Sequence, residues 1–134
     1  MIDTHCHIYY DTFSEDIDAV IERALSVGIA KMICVGVDLD SSQQCIALSE
    51  KYSSVYATVG CHPHDSSKVG NNYLNELESL SNHKKVVAIG EMGLDYHYNH
   101  SDPRTQKKVF NEQLELSVSV NLPAIVHCRE SEDD

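Results

Sequence analysis

Short apolar runs alternate with segments of helical periodicity along the chain, and this rhythm constrains the fold more than any other feature. Runs rich in β-branched and apolar residues stand at 32–35, 55–59, 86–89 and 124–126, and with a brief stretch at 2–5 they make five candidate strands. Between the first two, Ile17, Val20, Ile21, Ala24 and Leu25 recur at helical spacing, with Ser14 placed to cap the start and Gly28 to end it. A second helix is expected from Asp40 or Ser41 to about Lys51, and Tyr73, Leu77 and Leu80 mark a third. In the fourth, Asp102 can cap, Pro103 suits the first position, and Phe110, Leu114, Ser117 and Val118 line one face. The order β-α-β-α-β-α-β-α-β, with strands that read as continuous apolar runs, predicts one α/β domain over residues 1–134 with a parallel sheet covered by helices. Sequence pattern does not order the strands, so a barrel-type winding and an open doubly wound sheet both fit.

Ten basic against twenty-one acidic residues give a formal charge of −11, which excludes binding of nucleic acid through a broad basic surface. A polyanion would have to bind locally, and bound divalent cations can supply that local positive charge. The cysteines Cys6, Cys34, Cys45, Cys61 and Cys128 are odd in number, lack CxxC spacing and read as small core residues of a reducing compartment. No apolar run is long enough to span a membrane, and Met1-Ile2-Asp3-Thr4-His5 carries no leader. The expectation is a soluble cytoplasmic chain without a membrane partner, or a nuclear one in a eukaryote.

Four polar clusters fall where predicted strands end: His5-Cys6-His7, Gly60-Cys61-His62-Pro63-His64, Gly90-Glu91 and His127-Cys128-Arg129. In parallel α/β folds those C-terminal strand ends form the active face. His5 and His7, two residues apart, can grip one ion, since imidazole nitrogen suits Zn²⁺ and other borderline transition metals. Glu91, flanked by Gly90 and Gly93, offers a carboxylate able to bridge two cations. His127 follows the last strand, and Arg129 brings a planar, permanently charged fork suited to phosphate. His62 and His64 flank Pro63 and are expected as outer donors or phosphate contacts, while His83, His97 and His100 are expected at the surface.

These segments resemble the signatures of the TatD family: Asp3-Thr4-His5-Cys6-His7, Gly60-Cys61-His62-Pro63-His64, residues 89–96 and residues 122–129, in the family's order. Arg104, Gln106, Phe110, Gln113 and Leu114 resemble the helix that joins the last two, so the likeness spans nearly the whole chain. The resemblance implies a TIM-like barrel and metal-dependent hydrolysis of phosphodiester bonds in DNA, as a deoxyribonuclease or 3′-to-5′ exonuclease. It implies two divalent ions (Mg²⁺, Mn²⁺ or Zn²⁺): His5 and His7 on one, His127 on the other, and Glu91 between them as bridge and catalytic carboxylate. A metal-activated water would then attack phosphorus in line, with His62, His64 and Arg129 on the substrate side. Tyr9 stands where the family pattern leads one to expect an acid or amide, and Ala124 and Ser131 replace commoner choices.

The larger departure is a further metal-binding histidine and a late Glu-Thr-Asp motif, neither of which lies in these 134 residues. A complete barrel has eight strands and about 250 residues, so the chain is expected to stop after the fifth strand, as a shortened product or as a piece that self-associates through its open edges. Two other functions stay open beside the nuclease: a metal-dependent hydrolase of an amide, lactone or deaminated ring, and an inactive piece that only binds.

Overall fold

A computed structural model describes residues 1–98 and 100–134. Strands β1 (Ile2–Cys6), β2 (Lys31–Val35), β3 (Val55–Val59), β4 (Val86–Asp95) and β5 (Ala124–Arg129) alternate with helices α1 (Ile17–Ser26), α2 (Leu39–Lys51), α3 (Tyr73–Ser81) and α4 (Pro103–Ser119). The five strands form one parallel sheet in the order β1-β2-β3-β4-β5. A doubly wound sheet reverses direction at an inner strand. Here each strand pairs with the next one in the chain, so the open doubly wound alternative is set aside and the sheet curls as a half-barrel.

Local signals explain the helices, with three corrections. The first concerns α1, whose N-cap is Asp16 rather than Ser14; the Ser14 hydroxyl turns back to the carbonyl of Asp11 in a short 3₁₀ segment. The second concerns α2, which starts at Leu39 because Asp38 and Ser41 form a reciprocal capping box, earlier than Asp40 or Ser41 suggested. In α4, Asp102 caps and Pro103 occupies the first turn as expected, but the buried stripe is Gln106, Val109, Gln113, Leu116 and Ser117. Val118 points to solvent at 80 % exposure, because the helical stripe that meets the sheet runs one position away from it.

The core lies between the sheet and its helices, where Cys34, Val55, Ala57, Val59, Ile89 and Met92 cluster with Cys45, Leu77 and Val109. The inner strands β3 and β4 are buried almost throughout, whereas β1 and β5 have one neighbour each and expose Ile2 (55 %) and Val126 (53 %). Of the cysteines, Cys34, Cys45 and Cys61 are core residues and Cys6 is half-buried, but Cys128 is exposed on the open edge. No helix among the described residues is long and apolar enough to cross a membrane.

Beside β5, β4 breaks its register: Ile89 pairs with Ala124 and Met92 with Val126, so β4 takes three steps where β5 takes two. Gly90 (φ +132°) and Gly93 (φ +144°) allow this, since a Cβ at either would strike the carbonyl of Ile125 or His127 respectively. The strand therefore continues to Asp95, six residues past the expected end, and carries Glu91 within it instead of on a loop.

Candidate metal centre at the strand ends

The four polar clusters meet at the C-terminal rim of the sheet around Glu91, which is 8 % exposed. Its two carboxylate oxygens face different histidine pairs. Oε2 lies 3.3 Å from Nε2 of His5 and 4.0 Å from Nε2 of His7. Oε1 lies 3.0 Å from Nδ1 of His127 and 4.0 Å from Nε2 of His62. Two donor triads result, His5/His7/Glu91 and His62/Glu91/His127, each with its ligand atoms within 4.8 Å of one another.

The donor chemistry fits cations. His7 Nδ1 lies 2.9 Å from the carbonyl of Val35, which only accepts, so Nδ1 carries the proton and Nε2 presents a lone pair. That lone pair sits 3.2 Å from His5 Nε2, beside a carboxylate oxygen. A carboxylate and imidazole nitrogens converging in this way make a site that a shared divalent ion satisfies. Tyr9 puts its hydroxyl 3.3 Å from the same Nδ1 and its ring edge-on to His7.

Electrostatics favour the neutral rings of His7 and His62. Burial, reinforced by the neighbouring His5, lowers the pKa of His7 from its ordinary value. Burial, then the charge of His127, lowers that of His62 to about 4. Asp95 behaves in the opposite sense: burial opposes its charge, but the Tyr98 backbone N–H, His64 and His127 outweigh it and hold the carboxyl below the usual carboxylate range.

Of the residues expected on the substrate side, His62 lies inside the second triad, 3.2 Å from His127 Nδ1. His64 stands one step out, its Nε2 2.9 Å from Asp95 and its ring edge-on to those of His62 and Tyr98. Arg129 does not touch Glu91; its guanidinium lies over the Tyr98 ring, 4.8 Å from the centroid. His97 and His100 are exposed as expected, though the His100 ring comes within 4.8 Å of His64, while His83 is half-buried beside Glu50. Beneath the rim, a hollow of about 430 Å³ on the sheet is lined by His5, Ile33, Val87 and Ile125.

Three supports carry no assigned role in the sequence alone. Asp95 belongs there only to a family-like motif, yet it lies four residues after Glu91 in one strand, and such spacing puts both on one face. Gln106 and Gln113 are fully buried on α4 and hold the backbones of Asp95 and Cys61. Their signal was polar residues at helical spacing on the face turned to the core.

Comparison with known proteins identifies the family. The family model described as "TatD related DNase" matches residues 2–134. The chain is 40% identical over 134 residues to an uncharacterized metal-dependent hydrolase, YabD, of Bacillus subtilis, covering all of this chain and 52% of that protein. It is 35% identical over 133 residues to the 3′-5′ ssDNA/RNA exonuclease TatD of Salmonella typhimurium, covering 99% of this chain and 51% of that one. The crystal structure of YJJV, a TatD homolog from Escherichia coli, superposes with a TM-score of 0.92 at 35% identity, over 99% of this chain and 52% of that one. The chain thus spans about half the length of the relatives it matches.

Proposed function

From the premise that the chain belongs to the family of TatD-related DNases, we propose that it carries the N-terminal portion of a metal-dependent phosphodiesterase acting on DNA, with 3′-to-5′ exonuclease action. The observation that carries this is Glu91, one oxygen turned to His5 and His7 and the other to His127 and His62. His5, His7 and Glu91 would hold one divalent ion, and Glu91 and His127 would hold its partner, with the Nε2–H of His62, whose Nδ1 accepts from the His64 N–H, turned to the substrate side. Ions bound there would supply Lewis acidity and a nucleophilic hydroxide near neutral pH. An imidazole-rich donor set favours Zn²⁺ or Mn²⁺ over Mg²⁺.

The surrounding residues do the rest. Glu91 is catalytic in the sense that its carboxylate faces the reacting centre and sets the spacing of the two donor groups. His64 and Arg129 stand at the rim, where a phosphate would meet an imidazole and a guanidinium. Tyr98, 43 % exposed and covered by Arg129, offers an aromatic face for a nucleobase beside that phosphate. This local cationic and aromatic rim suits a nucleic-acid end better than a broad groove does, given the net charge of −11. The free thiols suit a reducing, cytoplasmic setting for this activity.

The test incubates the purified chain with end-labelled single-stranded DNA and Mg²⁺, Mn²⁺ or Zn²⁺, beside its Glu91→Gln variant, and follows nucleotide release. Metal-dependent release that vanishes in the variant is the expected outcome. Equal release by both overturns the role of Glu91, and no release from a folded, metal-loaded chain overturns activity at this length.

A further inference from the structure

Asp95, at 1 % exposure, is buried more deeply than any other carboxylate among the described residues. Its Oδ1 accepts from the backbone N–H groups of His97 (3.1 Å) and Tyr98 (3.0 Å). Its Oδ2 lies 2.9 Å from Nε2 of His64 and 3.0 Å from Nε2 of His127. The backbone of Asp95 is held too: Gln106 Oε1 accepts from its N–H at 2.8 Å, and Gln106 Nε2 donates to its carbonyl at 2.9 Å. The carboxylate is thus aimed from both ends of the residue.

An ionised carboxylate only accepts, so a proton sits on Nε2 of each histidine that meets it. In the neutral ring the other nitrogen then carries the lone pair. For His127 this is Nδ1, which accepts from Nε2 of His62 at 3.2 Å, since His62 Nδ1 itself accepts from the His64 N–H, and which faces Oε1 of Glu91 at 3.0 Å. We propose that Asp95 is a positioning residue that selects the Nε2–H tautomer of His127 and thereby turns its Nδ1 lone pair toward the cation position shared with Glu91. The inference rests on the metal-holding role given to His127 above. The same oxygen holds His64 in the same tautomer, so one buried carboxylate orients a histidine of the metal centre and a histidine of the substrate rim. Metal-ligating histidines commonly gain orientation and basicity from such a partner.

Asp95→Asn separates this role from a merely structural one. The backbone donors of His97 and Tyr98 keep the carboxamide oxygen in the Oδ1 position, so its NH₂ faces the two imidazoles. His127 must then accept at Nε2 and carry its proton on Nδ1, which withdraws the lone pair from the cation position. Volume and the other contacts are preserved.

The experiment is long-range ¹H–¹⁵N correlation NMR of the metal-free, histidine-labelled chain above the imidazole titration range, with the His127 signals identified by their loss in His127→Gln. Calorimetric titration with Zn²⁺ accompanies it. Expected are the Nε2–H tautomer of His127 in the wild type, the Nδ1–H tautomer in Asp95→Asn, and ~10–100-fold weaker Zn²⁺ binding in that variant. An Nδ1–H tautomer in the wild type overturns the proposal even where the variant fails to fold, and so does a folded variant that keeps Nε2–H. Absence of Zn²⁺ uptake by a wild-type chain with the Nε2–H tautomer sinks the metal-holding role of His127 instead, and the tautomer assignment stands.

Discussion

Gln113 of α4 holds both backbone groups of Cys61 at the end of β3: its Oε1 accepts from the Cys61 N–H at 2.7 Å, and its Nε2 donates to the Cys61 carbonyl at 3.0 Å. Two helical turns earlier, Gln106 makes the same pair of bonds to Asp95. One buried face of α4 therefore sets the distance between the β3 end, which carries His62, and the β4 end, which carries Asp95. Satisfied polar groups of this kind specify geometry because an unpaired buried donor or acceptor is costly.

Gln113→Ala leaves the N–H and carbonyl of Cys61 without this partner in a buried site. We expect a loss of ~1–3 kcal/mol of stability, read from the midpoint of urea denaturation. An unchanged midpoint would mean that water replaces the amide and that α4 does not set the rim.

Acidification should destabilise the fold through His62. Its ordinary pKa of 6.5 falls to about 4 in the folded chain, first because of burial and then because of His127. Between those values the unfolded chain binds a proton that the folded chain refuses, so stability drops as pH falls, by up to ~1.4 kcal/mol per pH unit from this group, and no further below about 4. His7, lowered for the same reason, adds in the same direction. Asp95 acts with the same sign at lower pH: its stabilisation is fully present above the ordinary carboxylate range and is lost as pH falls through that range toward its depressed folded value. Denaturation of the His62→Gln variant across this window should show a flatter pH dependence than the wild type; an equal slope would assign the effect elsewhere.

Arg129 is exposed and, among the described residues, forms no ion pair, lying instead on the Tyr98 ring. Arg129→Ala should lower kcat/KM on DNA by ~10-fold or more, as expected for loss of a charge-assisted contact, while Zn²⁺ stoichiometry stays unchanged. Steady-state kinetics beside metal titration decides the matter, and an equal fall in both would make Arg129 a structural residue.

The exposed outer strands invite association. β1 and β5 each have one unpaired side and carry exposed Ile2 and Val126. We propose that the isolated chain self-associates through these edges, so light scattering after gel filtration should report a mass above that of the monomer. Ile2→Lys and Val126→Lys together should shift it to the monomer; a monomeric wild type would refute edge pairing.

The strand and helix periodicities, the Asp102–Pro103 start of α4 and the rim positions of His5, His7, His62, Glu91 and His127 were readable from the chain, because each depends on residues a few places apart. Apolar spacing, capping chemistry and the direction of parallel strands are local or nearly local causes. Tertiary contact decided the rest. Sequential strand order chose the barrel winding over the doubly wound sheet, because only pairing between strands distinguishes the two. The register break at Gly90 carried β4 through Glu91 to Asp95, because β4 and β5 approach too closely there for a Cβ. Gln106 and Gln113, readable in the sequence as part of a family-like helix, take their roles from the carbonyls and N–H groups they satisfy in β4 and at the end of β3. The division of the Glu91 oxygens between two histidine pairs likewise depends on side chains from four strand ends meeting in space, where hydrogen bonding and burial, not sequence spacing, set which atom faces which.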